Sequence, residues 1–74
     1  MTLGESRVRV TFNPSADDLV SQIKQKTAEL IDLCAKGIDV NAHGTAESHR
    51  LWSLAMTHYE DAAMWAVKAA TIAK

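Results

Sequence analysis

Three histidines, one cysteine, nine carboxylates and eight basic side chains are the groups in this 74-residue chain that could bind a metal, attack a substrate or hold an anion. His58 and Asp61 lie three apart and share one face of a helix, which offers two metal ligands. His49 sits about 180° away around the same helix and His43 falls in a loop, so no third ligand joins them and no metal is expected. Cys34, in Leu33-Cys34-Ala35, has no histidine near it in sequence and reads as a small buried hydrophobe of a reducing compartment. Glu60 and Asp61 are adjacent and so point about 100° apart on a helix, which is poor geometry for an acid and base pair. With no glycine-rich phosphate loop either, neither an enzyme nor a cofactor is expected.

The cations and one aromatic carry more. Lys24 falls about 70° from the centre of the apolar seam of its helix, beside Ile31 and Ala28, so its stem can lie on apolar surface while its amine reaches a pocket edge. Lys68 shares a stripe with Arg50, Thr57 and Thr71 and interrupts an otherwise apolar surface. If that surface is buried between subunits, symmetry multiplies the cation and calls for an anionic ligand; the alternative is an ordinary solvated lysine. Phe12 stands just ahead of a helix start, where a ring could stack on a nucleobase with the helix terminus and a lysine facing phosphate; it could equally be a hydrophobic plug that fixes the N-terminal segment.

The elements that position these residues follow from periodicity. Arg7-Val8-Arg9-Val10-Thr11-Phe12 alternates with period two, so residues 1–14 read as an extended arm with the valines and Phe12 on one side. Ser15 is a good N-cap with Asp18 three residues on, which opens helix one over 15–36. Its seam is Ala16, Val20, Ile23, Thr27, Leu30 and Cys34, widened on both sides by Leu19, Ile31 and Leu33, and Gly37 after Lys36 supplies a left-handed stop. After a loop, Thr45 caps helix two, which spans 45–73 as a rod of about 42 Å, some 10 Å longer than helix one. The reading is a single all-α domain over 1–74: an N-terminal arm and two long antiparallel helices.

Size and composition say how such a hairpin is stabilised. A core from fewer than about 80 residues rarely supplies more than about 3–5 kcal/mol, so disulfides, a metal or a partner subunit must add to it. A single cysteine forms no internal disulfide, which leaves the partner subunit. From Ala62 to Lys74 only Lys68, Thr71 and Lys74 are polar, and a helix apolar on nearly every side must be buried on several sides. A homo-oligomer with helix two at its centre is therefore expected, with a dimeric four-helix bundle that binds no ligand as the plain alternative. No apolar run approaches the ~20 residues of a membrane span and the N-terminus has no apolar signal core, so a soluble cytosolic protein is expected. A net charge of −1 lacks the basic excess that long nucleic acids require.

Phe12-Asn13-Pro14-Ser15, Ile23-Lys24, Leu30-Ile31-Asp32-Leu33, Leu54-Ala55-Met56-Thr57-His58-Tyr59-Glu60 and Ala63-Met64-Trp65-Ala66-Val67-Lys68-Ala69 together resemble the small anti-CBASS cyclic-nucleotide sponge proteins of tailed phages. The resemblance runs from about Phe12 to Ala73. It implies a compact homohexamer of helical protomers in the host cytoplasm that sequesters cyclic oligonucleotide second messengers without cleaving them. It further implies a cyclic dinucleotide pocket that uses Phe12 and Lys24, with Asn13 and Ser15 beside them. A cyclic trinucleotide pocket on the last helix would use Lys68, with Thr71 and Thr57 as hydroxyls. Phe12 stands where such proteins carry a tyrosine, so stacking survives and a hydrogen bond does not. Lys68 stands where they carry an arginine, which gives up bidentate phosphate geometry. The competing class is a helical adaptor whose last helix docks on another protein.

Overall fold

The computed structural model describes residues 1–13, 18–40 and 44–72, and among them the chain is helical with no strand. The elements are α1 (Leu3–Val8), α2 (Asp18–Val40) and α3 (Ala46–Thr71). Residues 14–17, 41–43 and 73–74 lie outside the described residues, and with them the cap expected at Ser15.

The extended arm is replaced by a short helix, and local hydrogen bonding is the reason. Thr2 begins a capping box: its Oγ1 accepts the Glu5 N–H at 3.1 Å, and the Glu5 carboxylate accepts the Thr2 N–H at 2.8 Å. Six residues later the chain closes in a Schellman arrangement, with the Arg9 N–H donating to Ser6 O and the Val10 N–H to Glu5 O. This closure requires a left-handed residue, and Arg9 adopts it at φ 57°, ψ 55°. The period-two pattern of residues 7–12 is resolved differently from a strand: Val8 is buried, Val10 packs against the core from the turn, and Phe12 remains about half exposed.

Helix α1 rests on α2 by close backbone approach. A Cβ on Gly4 would overlap the Ala28 carbonyl, so only glycine allows this contact. The Gly4 N–H, one of the free donors of the helix start, donates to Asp32 Oδ1 at 2.7 Å.

The buried residues of α2 are Val20, Lys24, Ala28, Ile31 and Cys34. Compared with the seam expected from sequence, the stripe is narrower and rotated toward Lys24, Ala28 and Ile31, and Leu19, Leu30 and Leu33 are exposed; α1 covers the Lys24 flank and draws it inward. Helix α2 also continues through Gly37 to Val40, and Gly37 is not left-handed. A Cβ there would sit 2.6 Å from the Trp52 ring, so this glycine provides room for an aromatic from α3 in place of a helix stop. With Gly37 of α2 beside Trp52 early in α3, and Lys24 facing residues 57–67, α2 and α3 run antiparallel.

Helix α3 starts at Thr45, whose Oγ1 accepts the Ser48 N–H at 3.1 Å. Only Met56 and Ala63 of its residues are fully buried, and Leu51, Leu54, Met64, Trp65 and Ile72 stay exposed. The core of Val8, Ala28, Ile31, Cys34, Met56 and Ala63 is a thin layer in a body of 47 × 20 × 12 Å.

Candidate functional site

The turn after α1, the first half of α2 and the middle of α3 enclose a groove of about 570 Å³, within the range of small-molecule sites. Arg7 and Val8 come from the end of α1 and Arg9 and Phe12 from the turn after it; Lys24 comes from α2; Thr57, His58, Glu60, Asp61, Ala63, Met64 and Val67 come from α3.

Lys24 is the centre of this arrangement and is only 5% exposed. Its Nζ donates to the Arg9 carbonyl at 3.0 Å and to the Phe12 carbonyl, so the ammonium ties both ends of the turn to α2. The same Nζ lies 5.4 Å from the centre of the Phe12 ring. Burial, and secondarily the positive charge of Arg9, lower the Lys24 pKa from its ordinary value. The Arg9 guanidinium carbon stands 4.2 Å from the centroid of Phe12, so ring and guanidinium form a shelf at the groove edge. Arg7 is occupied otherwise: its Nε donates to Glu60 Oε1 at 2.8 Å, a partly exposed ion pair that pins the end of α1 to α3.

The residues expected from sequence divide into two groups. Phe12, Lys24 and Thr57 line one groove, although Thr57 was assigned with the last-helix residues. Its hydroxyl donates to the Ser53 carbonyl at 3.2 Å. Asn13 adjoins this region and donates through Nδ2 to Ser21 Oγ at 2.9 Å, while Ser15 lies outside the described residues. Lys68 and Thr71 are elsewhere on the chain: Lys68 Nζ lies 5.3 Å from the Trp65 ring centre, and Thr71 Oγ1 donates to the Val67 carbonyl at 2.8 Å. Neither lines the groove.

Sequence reasoning missed Arg9 and His58 as groove residues. Arg9 was placed on the solvent side of an extended arm, and the signal that could have found it is the capping box in Thr2-Leu3-Gly4-Glu5, which turns that arm into a helix end. Among the described residues no group of three histidine, cysteine or carboxylate side chains could hold a metal ion, and no helix is long and apolar enough to cross a membrane.

Residues 4–71 match the family described as Acb2/Tad1, hairpin domain. The chain belongs to the Acb2/Tad1 family, the anti-CBASS cyclic-oligonucleotide sponges. Comparison with curated proteins and with solved structures gives no match. The Acb2/Tad1 match includes all three helices except Leu3, and therefore every described residue that lines the groove. Membership gives the chain an anti-defence role in which cyclic oligonucleotides are bound as cargo.

Proposed function

We propose that this protein sequesters cyclic dinucleotides in the groove between the α1 turn, α2 and α3, and releases them chemically unchanged. The observation that carries the reading is the convergence of an exposed aromatic ring with two cations, Arg9 and Lys24, on one cavity in a member of a sponge family. A cyclic dinucleotide carries two bases and two phosphates in approximate twofold symmetry. Phe12 offers a stacking face for a base, Lys24 brings positive charge to the floor, and Asn13 and Ser15 stand close enough in sequence to add polar contacts. A groove with positive charge on one wall and an apolar patch of Ala63, Met64 and Val67 on the other suits such a ligand.

Assembly belongs to the same reading. The isolated protomer exposes 5075 Å² of surface, against about 4,500 Å² expected for a folded monomer of this size. Leu51, Leu54 and Trp65 of α3, with Ile72 at its C-cap, fall on one stripe opposite Met56 and Ala63 and are 40–76% exposed. We propose that this stripe is covered by further copies of the chain, with a hexamer as the assembly the family suggests. Twofold-related protomers could then present two grooves to the two halves of one ligand. Cyclic trinucleotide binding by Lys68, Thr71 and Thr57 requires such an assembly, because in a single copy Thr57 lines the groove while Lys68 and Thr71 do not. The site of action under this reading is the cytoplasm of the infected host.

The test is calorimetry against cyclic di-AMP, cyclic di-GMP, cyclic GMP–AMP and cyclic tri-AMP, followed by heat denaturation and chromatography of the released ligand. Binding with intact recovery supports a sponge. Linear products would point to His58 and the neighbouring carboxylates as a phosphodiesterase centre. No binding together with a monomeric mass would favour a helical adaptor that uses the α3 stripe for another protein.

A further inference from the structure

We propose that Arg9 is the residue that grips the ligand phosphate, and that Lys24 acts mainly as a positioning residue beneath it; the inference rests on the cyclic-dinucleotide reading of the groove. Three observations of different kinds converge on Arg9. The first is conformational. Among the described residues Arg9 is the non-glycine with positive φ, at a helix end where glycine or asparagine is the usual occupant. A left-handed arginine is a strained choice for a turn, and such strain persists where the side chain has work that the backbone alone does not require.

The second is electrostatic. Arg7 is paired with Glu60 and Arg50 with Glu47, whereas among the described residues Arg9 has no carboxylate partner. Its charge faces Lys24 closely enough to help lower the lysine's pKa. Two neighbouring cations without a counter-charge repel each other in the free protein, and an anion bound between them removes that repulsion. Of the acidic residues that line the groove, Glu60 is paired with Arg7, and among the described residues no ion pair joins Asp61 to Arg9 or Lys24.

The third is geometric. The guanidinium is stacked on Phe12 at 4.2 Å, so its planar fork is held in place while its edge N–H groups remain available for bidentate contact with phosphate oxygens. Lys24 lacks this freedom, since two of its three donors are engaged by the Arg9 and Phe12 carbonyls. The lysine thus builds the turn, and the turn presents the arginine and the ring together.

The unusual backbone makes the proposal separable from a structural role, because glycine and asparagine suit the left-handed position better than arginine. Arg9→Gly and Arg9→Asn should melt at the same temperature as the parent protein or higher, yet bind cyclic GMP–AMP at least tenfold more weakly by calorimetry. Arg9→Lys, which keeps the charge and loses the fork, should fall between. Affinity of the parent protein should decline with added salt more steeply than that of Arg9→Asn, a readout that a purely structural arginine would not move. Equal affinity and equal salt dependence in Arg9→Gly, Arg9→Asn and the parent would overturn the assignment while leaving the sponge reading intact. A parent protein that binds none of the cyclic dinucleotides would overturn both.

Discussion

At the scale of single residues, Lys24 shows how one side chain can serve both fold and site. It is buried, hydrogen-bonded to two carbonyls of the turn and close to the ring of Phe12. Lys24→Ala removes the donors; the Arg9 carbonyl keeps the Phe12 N–H, but the Phe12 carbonyl loses the lysine, so the change should cost about 1–3 kcal/mol. In a domain of this size that lowers the melting temperature by roughly 4–8 °C per kcal/mol, read by circular dichroism. The same variant should bind cyclic dinucleotide at least tenfold more weakly, and an unchanged calorimetric affinity would remove Lys24 from the site altogether. Native Lys24 releases its proton at lower pH than the unfolded chain does. Between those two values the unfolded state holds more protons, so this lysine's contribution to stability rises with pH as the ordinary lysine range near 10.5 is approached. Lys24→Met should lose that alkaline component in a series of melts. Part of this was readable beforehand: Lys24 beside Ile31 and Ala28 follows from helical geometry, and the structure buries all three. Its carbonyl partners were not readable, because they depend on a turn that the alternation of residues 7–12 disguises.

At the scale of elements, the site exists because α1 is docked, and α1 is docked because Gly4 lacks a side chain. Gly4→Ala should force α1 away from Ala28 and open the groove, lowering both the melting temperature and ligand affinity, while the far-ultraviolet helical signal falls only slightly. Gly37→Ala sets a gain against a loss. Alanine improves helix propensity by about 1 kcal/mol, but its Cβ would press on Trp52 at 2.6 Å. A net fall in melting temperature is expected, with ligand affinity nearly unchanged because the groove is formed by earlier residues of α2. The two long helices were legible from their 3.6-residue periodicity and from Thr45 as a cap. The continuation of α2 past Gly37 was not, since a glycine after a lysine reads equally as a stop or as room for a ring, and only the position of Trp52 decides. In the N-terminal segment two local signals compete, a capping box at residues 2–5 and period-two alternation at 7–12. The capping box prevails because its helix gains a docking contact with α2, whereas a lone strand has no partner in this chain.

At the scale of the whole molecule, a thin core and a long α3 with two fully buried residues describe a protomer that leaves much of its apolar surface uncovered. That surplus was legible from the composition of residues 62–74, and the structure extends it along α3 to Leu51 and Leu54. Leu54→Asp and Trp65→Asp should each shift the particle mass measured by light scattering toward smaller species, with helical circular dichroism retained at high protein concentration. An unchanged mass would contradict the reading of this stripe as a contact between copies. The most direct test of the central claim is titration of the parent protein with cyclic GMP–AMP by calorimetry, followed by heat release and chromatography of the ligand. Saturable binding with full recovery of the intact cyclic dinucleotide is the predicted result, and either no binding across the cyclic nucleotide series or recovery of linear products would contradict it.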